Sequence, residues 1–189
     1  PTCVRRQLRW AVGVAHGEDV PQMGPDALAA AVKKAVREGF LEQELWDTFE
    51  MRAMEVADEM TLADVARVLK GFAEARPRQE IVGLVSRLSD RVKALVGEEY
   101  FVRQTSRQLL VGFSTARTYD SGVIEKLTDR VVRDMEQNPG LYRPQEMAKM
   151  VYALSRMNMA HVDFFTIAAD ALPEFMEFFE PFELVRLAE

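Results

Sequence analysis

The chain repeats itself. Three stretches align without gaps at a spacing of 41 residues: Val68-Leu69-Lys70-Gly71-Phe72-Ala73-Glu74-Ala75-Arg76, Leu109-Leu110-Val111-Gly112-Phe113-Ser114-Thr115-Ala116-Arg117 and Met150-Val151-Tyr152-Ala153-Leu154-Ser155-Arg156-Met157-Asn158. Apolar residues fill columns 68/109/150, 69/110/151 and 72/113/154. Their steps of three and four residues are those of an amphipathic helix, here named helix A. The column 71/112/153 is Gly, Gly and Ala, where a partner helix can approach closely. A second helix, helix B, follows each A. Leu88-Ser89-Asp90-Arg91-Val92 matches Leu127-Thr128-Asp129-Arg130-Val131 and Ala168-Ala169-Asp170-Ala171-Leu172, at spacings of 39 and 41. One helix pair cannot bury its apolar faces alone. Self-similarity at this period therefore points to stacked pairs that share a continuous core.

Helical period extends over nearly the whole chain, and most prolines fall between the periodic segments. The pattern predicts helices at about 4–16, 25–38, 42–59, 62–75, 79–96, 102–117, 121–137, 144–157, 161–179 and 182–189. Pro173 falls inside one of them and should kink or break it. Thr61 and Asp120 or Ser121 stand where side-chain oxygens cap the first turns of the helices that follow. The expected architecture is an all-α solenoid of antiparallel helix pairs, about 36–41 residues per repeat, in one domain spanning 1–189. Its repeats are about 25–60, 61–101, 102–142 and 143–180, with partial units at both ends. The sequence starts at Pro1 and stops within an incipient helix at Glu189, so it reads as a processed chain or a piece of a longer one.

The 48% hydrophobic and 29% charged content is that of a folded, soluble protein. The net charge of −6 argues mildly against a surface coated in nucleic acid and leaves room for a local basic stripe. No apolar run is long enough to cross a membrane. A single cysteine, Cys3, precludes an internal disulfide and fits a reducing compartment. His16 and His161 lack metal-ligand spacing. No phosphate-binding loop, nucleophile elbow or calcium loop is present. We therefore expect no catalysis, no metal, no cofactor and no small-molecule substrate. The Asp90/Asp129/Asp170 column, with Arg91 and Arg130 beside it, suggests ion pairs running between adjacent B helices. Met147, Met150, Met157 and Met159, with Phe164, Phe165, Phe175, Phe178, Phe179 and Phe182, crowd the last third. Most must be core, and some excess fits an interface.

The segment Arg143-Pro144-Gln145-Glu146-Met147-Ala148-Lys149-Met150-Val151-Tyr152-Ala153-Leu154-Ser155-Arg156-Met157 resembles the first helix of octotricopeptide and heptatricopeptide repeats. It is similar too to the repeats that precede RAP domains in FAST-kinase-like proteins. Those helices run Pro-x-Glu-Leu-Ala and then into an aromatic-Ala-Leu-Ala-Lys-like stretch. Pro181-Phe182-Glu183-Leu184 restarts the pattern, and the likeness covers roughly 61–189. The resemblance implies an organellar, mostly mitochondrial, helical-repeat protein of RNA metabolism or of a mitochondrial ribosome. Its partners would be RNA, or the protein subunits of a large mitochondrial assembly such as a respiratory or ATP synthase complex that it scaffolds.

If a face binds RNA, the outward side of helix A is the candidate. The columns Arg67/Gln108/Lys149, Lys70/Val111/Tyr152 and Glu74/Thr115/Arg156 vary between repeats and mix hydrogen-bond donors with an aromatic ring. Such a stripe suits hydrogen bonding and stacking on single-stranded bases. Arg76 and Arg117, at helix ends, are placed to meet phosphates. The candidate binding residues are thus Arg67, Lys70, Arg76, Gln108, Arg117, Lys149, Tyr152 and Arg156. Read singly, each also fits an ordinary solvated position, with basic residues favoured near helix C-termini by the backbone dipole.

Overall fold

The computed structural model describes residues 20–75, 81–97, 103–171 and 173. Every regular element among them is helical. After a 3-10 turn at Val20–Gln22 come α1 (Pro25–Glu38), α2 (Gln43–Glu55), α3 (Leu62–Ala75), α4 (Val82–Leu95), α5 (Arg103–Ala116), α6 (Ser121–Gln137), α7 (Pro144–Arg156) and α8 (Val162–Ala171). The expected helices at 4–16 and 182–189 lie outside the described residues, as do Cys3, His16 and Arg76.

The A helices α3, α5 and α7 begin at Leu62, Arg103 and Pro144, 41 residues apart each time. Their starts are local chemistry. Asp64, at 4% exposure, accepts from the Thr61 backbone N–H at 3.0 Å and the Thr61 hydroxyl at 2.7 Å. The Asp64 N–H donates back to Thr61 Oγ1 at 3.2 Å, completing a reciprocal cap. One repeat unit later but one, Glu146 accepts from the Arg143 N–H at 3.1 Å, and Pro144 opens the helix. Asp120 caps α6 through the Val123 N–H at 3.3 Å. Helix ends are equally local. Gly39, at φ 74°, ends α1, and the Phe40 N–H closes onto Ala35 O at 2.9 Å. Asn158, at φ 52°, does the same after α7, with Met159 N–H on Leu154 O at 3.0 Å.

One expected element is divided. The helix expected over 42–59 stops at Glu55, and a 3-10 turn follows at Ala57–Glu59. Val56 leaves helical geometry at φ −93°, ψ 6°. Val56, Ala57 and Met60, at this turn, are all buried in the core. Of the last expected long helix, 161–179, the described residues show Val162–Ala171, and 172 and 174–179 lie outside them.

Packing follows a simple rule. Odd-numbered helices pack on the next odd-numbered one, α1 on α3, α3 on α5, α5 on α7, and these are the broadest contacts. Even-numbered helices likewise pack α2 on α4, α4 on α6 and α6 on α8, and each A helix touches the B helix that follows it. One cluster of buried apolar side chains takes residues from all eight α-helices. Val68, Leu109 and Met150 are each fully buried, as are Phe72, Phe113 and Leu154. Gly71 explains how α1 and α3 come so close: a Cβ there would lie 2.3 Å from Val32 Cγ1. At Gly112 it would lie 3.1 Å from Leu69 Cδ2 on α3. The repeat reaches into side-chain detail. Arg52 of α2 donates to Met23 O at 2.8 Å, and Arg91 of α4 donates to Met60 O at 2.8 Å. Each arginine thus braces the carbonyl two residues before the A helix of its own pair. A perpendicular aromatic trio, Trp46 with Phe49 and Phe72, fills the space between α2 and α3, and the Trp46 indole N–H donates to Phe40 O at 2.8 Å.

Candidate binding groove

The outward edges of α3, α5 and α7 enclose a groove of about 370 Å³. From α5 it takes Arg107, Gln108, Val111, Ser114 and Thr115. These fall at steps of one, four, seven and eight, one face of a helix. From α7 it takes Ala148, Lys149, Tyr152, Ala153 and Arg156, the same face one repeat on. Lys70 of α3 closes the third side. Five of the eight candidate residues, Lys70, Gln108, Lys149, Tyr152 and Arg156, therefore meet at one cavity. The columns 108/149, 111/152 and 115/156 lie next to each other because α5 and α7 pack in register.

The electrostatics are one-sided. Four basic side chains line the groove, Lys70, Arg107, Lys149 and Arg156, and no Asp or Glu does. Two carboxylates stand just outside: Glu74 Oε1 is 3.6 Å from Lys70 Nζ, and Glu146 Oε1 is 3.8 Å from Arg107 Nε. The Arg156 guanidinium carbon sits 5.7 Å from the Tyr152 ring centroid, a cation–π contact that holds both side chains at the groove wall. Lys149 and Arg156 are exposed, whereas Tyr152 and Arg107 are half-buried. The arrangement presents fixed positive charge, an amide and an aromatic face to one ligand-sized space.

The remaining candidates are placed elsewhere. Arg67 pairs with Asp26 Oδ1 on α1 at 2.8 Å and with Asp64 Oδ1 at 2.5 Å, so it ties α3 to α1 and does not line the groove. Arg117 is exposed at the end of α5 in left-handed backbone, φ 58°, and it too stays off the groove. Arg76 lies outside the described residues. Arg107 and Ser114 are lining residues that sequence reasoning missed. Their only signal was position, one and six residues from Gln108 in the repeat register.

The expected ladder of Asp90-Arg91 and Asp129-Arg130 pairs takes a different form. Arg91 is drawn to the Met60 carbonyl, and Arg130 pairs with Asp134 one turn on at 3.0 Å. Asp129 instead meets His161 Nε2 at 2.9 Å, while His161 Nδ1 accepts the Phe164 N–H at 3.3 Å and caps α8. Between α4 and α6 the link is Lys93 to Asp120, at 2.6 Å. The hydrogen bond from Lys93 holds the Asp120 carboxyl below its ordinary range, and the same bond to Asp120 raises the Lys93 ammonium above its own. Tyr142, buried in the loop before α7, is pushed up by desolvation. Among the described residues no three His, Cys, Asp or Glu side chains gather as a metal site, and no helix is long and apolar enough to cross a membrane. The chain matches no protein-family model, and no curated protein is significantly similar to it in sequence.

Proposed function

We propose that the chain is an α-solenoid of antiparallel helix pairs that binds single-stranded RNA along the outward face of its A helices, without catalysis. The convergence of Lys70, Gln108, Lys149, Tyr152 and Arg156 on one groove with no acidic lining carries the reading. Single strands are held by cations tracking the phosphates and by aromatic or guanidinium planes under the bases. A chain of net charge −6 that gathers four cations in one cavity concentrates its attraction for polyanions there. With the resemblance to octotricopeptide-type repeats, the setting we propose is organellar, in mitochondrial RNA metabolism or a mitochondrial ribonucleoprotein such as the ribosome.

Fluorescence anisotropy with a labelled single-stranded RNA over a salt series is the direct test. Four groove cations correspond to a slope of log K against log salt of about −3 for a single strand. Lys149→Ala should shallow that slope by about 0.7, and Arg67→Ala should leave it unchanged because Arg67 is held by Asp26 and Asp64. A slope near zero, or a larger loss from Arg67→Ala than from Lys149→Ala, would remove the groove from the account. A second reading, a protein scaffold in a large mitochondrial complex, draws on Leu41, Met51 and Met54. These are apolar, at 66%, 61% and 40% exposure, and they sit on or beside α2.

A further inference from the structure

The floor of the groove holds two polar atoms that the protein itself leaves unsatisfied. Ser114, at 5% exposure, has no hydrogen-bond partner for Oγ. Arg107 Nε is buried and also unpartnered, since 3.8 Å to Glu146 Oε1 is too long for a hydrogen bond. Both residues line the cavity, seven positions apart on one face of α5.

The repeat itself supplies an internal comparison. The position of Arg107 is Ala66 one repeat earlier and Ala148 one repeat later, buried at 0% and 7% exposure. The position of Ser114 is Ala73 one repeat earlier, at 2%, and Ser155 one repeat later, where the hydroxyl is exposed to water. Where these positions are buried in the other repeats, at Ala66, Ala73 and Ala148, a methyl group is enough for the A helices to pack. A buried hydroxyl or guanidinium N–H without a partner lowers stability, and removing it restores what was lost. These two donors are an expense that packing does not require.

Both atoms are donors, and Lys70, Lys149 and Arg156 ring the same space. The complement is an anion rich in acceptor oxygens. Building on the RNA reading above, we propose that Arg107 Nε–H and Ser114 Oγ–H form a phosphoryl-oxyanion subsite on the groove floor. The flanking cations neutralise its charge, and the Tyr152 ring stands beside it for the attached base. Charge-assisted hydrogen bonds from a guanidinium and a hydroxyl suit phosphate oxygens. The phosphoryl group can belong to a strand terminus or to an internal phosphodiester.

The test compares the wild type with Ser114→Ala and Arg107→Ala, each of which installs the alanine that the preceding repeat carries. Melting followed by circular dichroism is measured beside anisotropy with a 3′-labelled RNA dodecamer bearing either a 5′-hydroxyl or a 5′-phosphate. Ser114→Ala should melt no lower than the wild type and yet bind roughly tenfold more weakly, as expected for a lost hydrogen bond to a charged group. A stronger wild-type response to the 5′-phosphate assigns the site to a strand end. Equal binding of both oligonucleotides, with equal losses in the variants, assigns it to an internal phosphodiester. Affinity within twofold of wild type in both variants overturns the subsite and leaves RNA binding standing. A marked drop in the melting temperature of Ser114→Ala overturns it too, because the hydroxyl would then serve packing. Competition by a polyglutamate peptide as strong as by RNA would refute the phosphoryl assignment. If the wild type binds no RNA at low salt, the RNA reading fails, and inorganic phosphate decides the subsite alone. A phosphate-induced rise in melting temperature that disappears in Ser114→Ala upholds it, and no rise refutes it.

Discussion

Replacing Gly71 by alanine tests how tightly the A helices are locked together. The new Cβ would lie 2.3 Å from Val32 Cγ1 and 3.7 Å from Val36 Cγ2. Carbon atoms rest comfortably at about 3.5–4.0 Å, so the first contact is more than 1 Å too short. Val32 cannot swing clear, because a valine in a helix is held largely to one rotamer. Helices α1 and α3 must separate instead, at an overpacking cost of about 1–3 kcal/mol. Set against this is the helix-propensity gain of glycine to alanine, about 1 kcal/mol. The net expectation is a loss of about 1 kcal/mol. The decisive measurement is a double-mutant cycle with Val32→Ala, followed by urea unfolding at 222 nm with the m-value checked for each variant. Val32→Ala alone should cost about 2 kcal/mol from lost burial and the cavity it leaves. In that background Gly71→Ala should turn neutral or stabilising, giving a favourable coupling of about 1–3 kcal/mol. Additive effects, or a stabilisation by Gly71→Ala in the wild type, would refute the close approach of α1 and α3. Gly112→Ala is the graded control. Its 3.1 Å contact is with a leucine side chain that can give by a few tenths of an ångström, so the change should stay within about 1 kcal/mol of zero.

Two further outcomes follow from the caps. Asp120→Ala should cost about 1 kcal/mol as α6 loses its N-cap, and Asp120→Asn should cost less because the amide oxygen still accepts from Val123. The folded-state pKa of Asp120 is depressed, so the stability from its pairing with Lys93 is present above the ordinary carboxylate range and is lost as pH falls through the folded-state value. The gap between wild type and Asp120→Asn should therefore close below about pH 4 in acid melts, and a gap that widens there would contradict the pairing. Arg117→Gly should raise stability by about 0.5–1 kcal/mol, the relief of left-handed backbone less the extra freedom glycine gives the unfolded chain. A lower melting temperature would mean that the Arg117 side chain supports the fold.

Much of this molecule is legible in its covalent order because the relevant physics is local. Helical period, the Thr61 and Asp120 caps and the prolines each act within about one turn of backbone. The 41-residue register then carries the apolar columns into the core, and Gly71 and Gly112 land where a small residue is required. The ladder, the bend after Glu55 and the makeup of the groove were not legible in that way. Arg67 and Lys149 occupy equivalent positions, yet Asp26, on a different helix, claims Arg67 and leaves Lys149 to the groove. Arg107 reads as one more solvated arginine until α7 packs over it and takes its Nε out of water. Charge partners and burial depend on which side chains neighbouring helices bring within a few ångströms, and that distance is set by helix–helix packing between residues tens of positions apart.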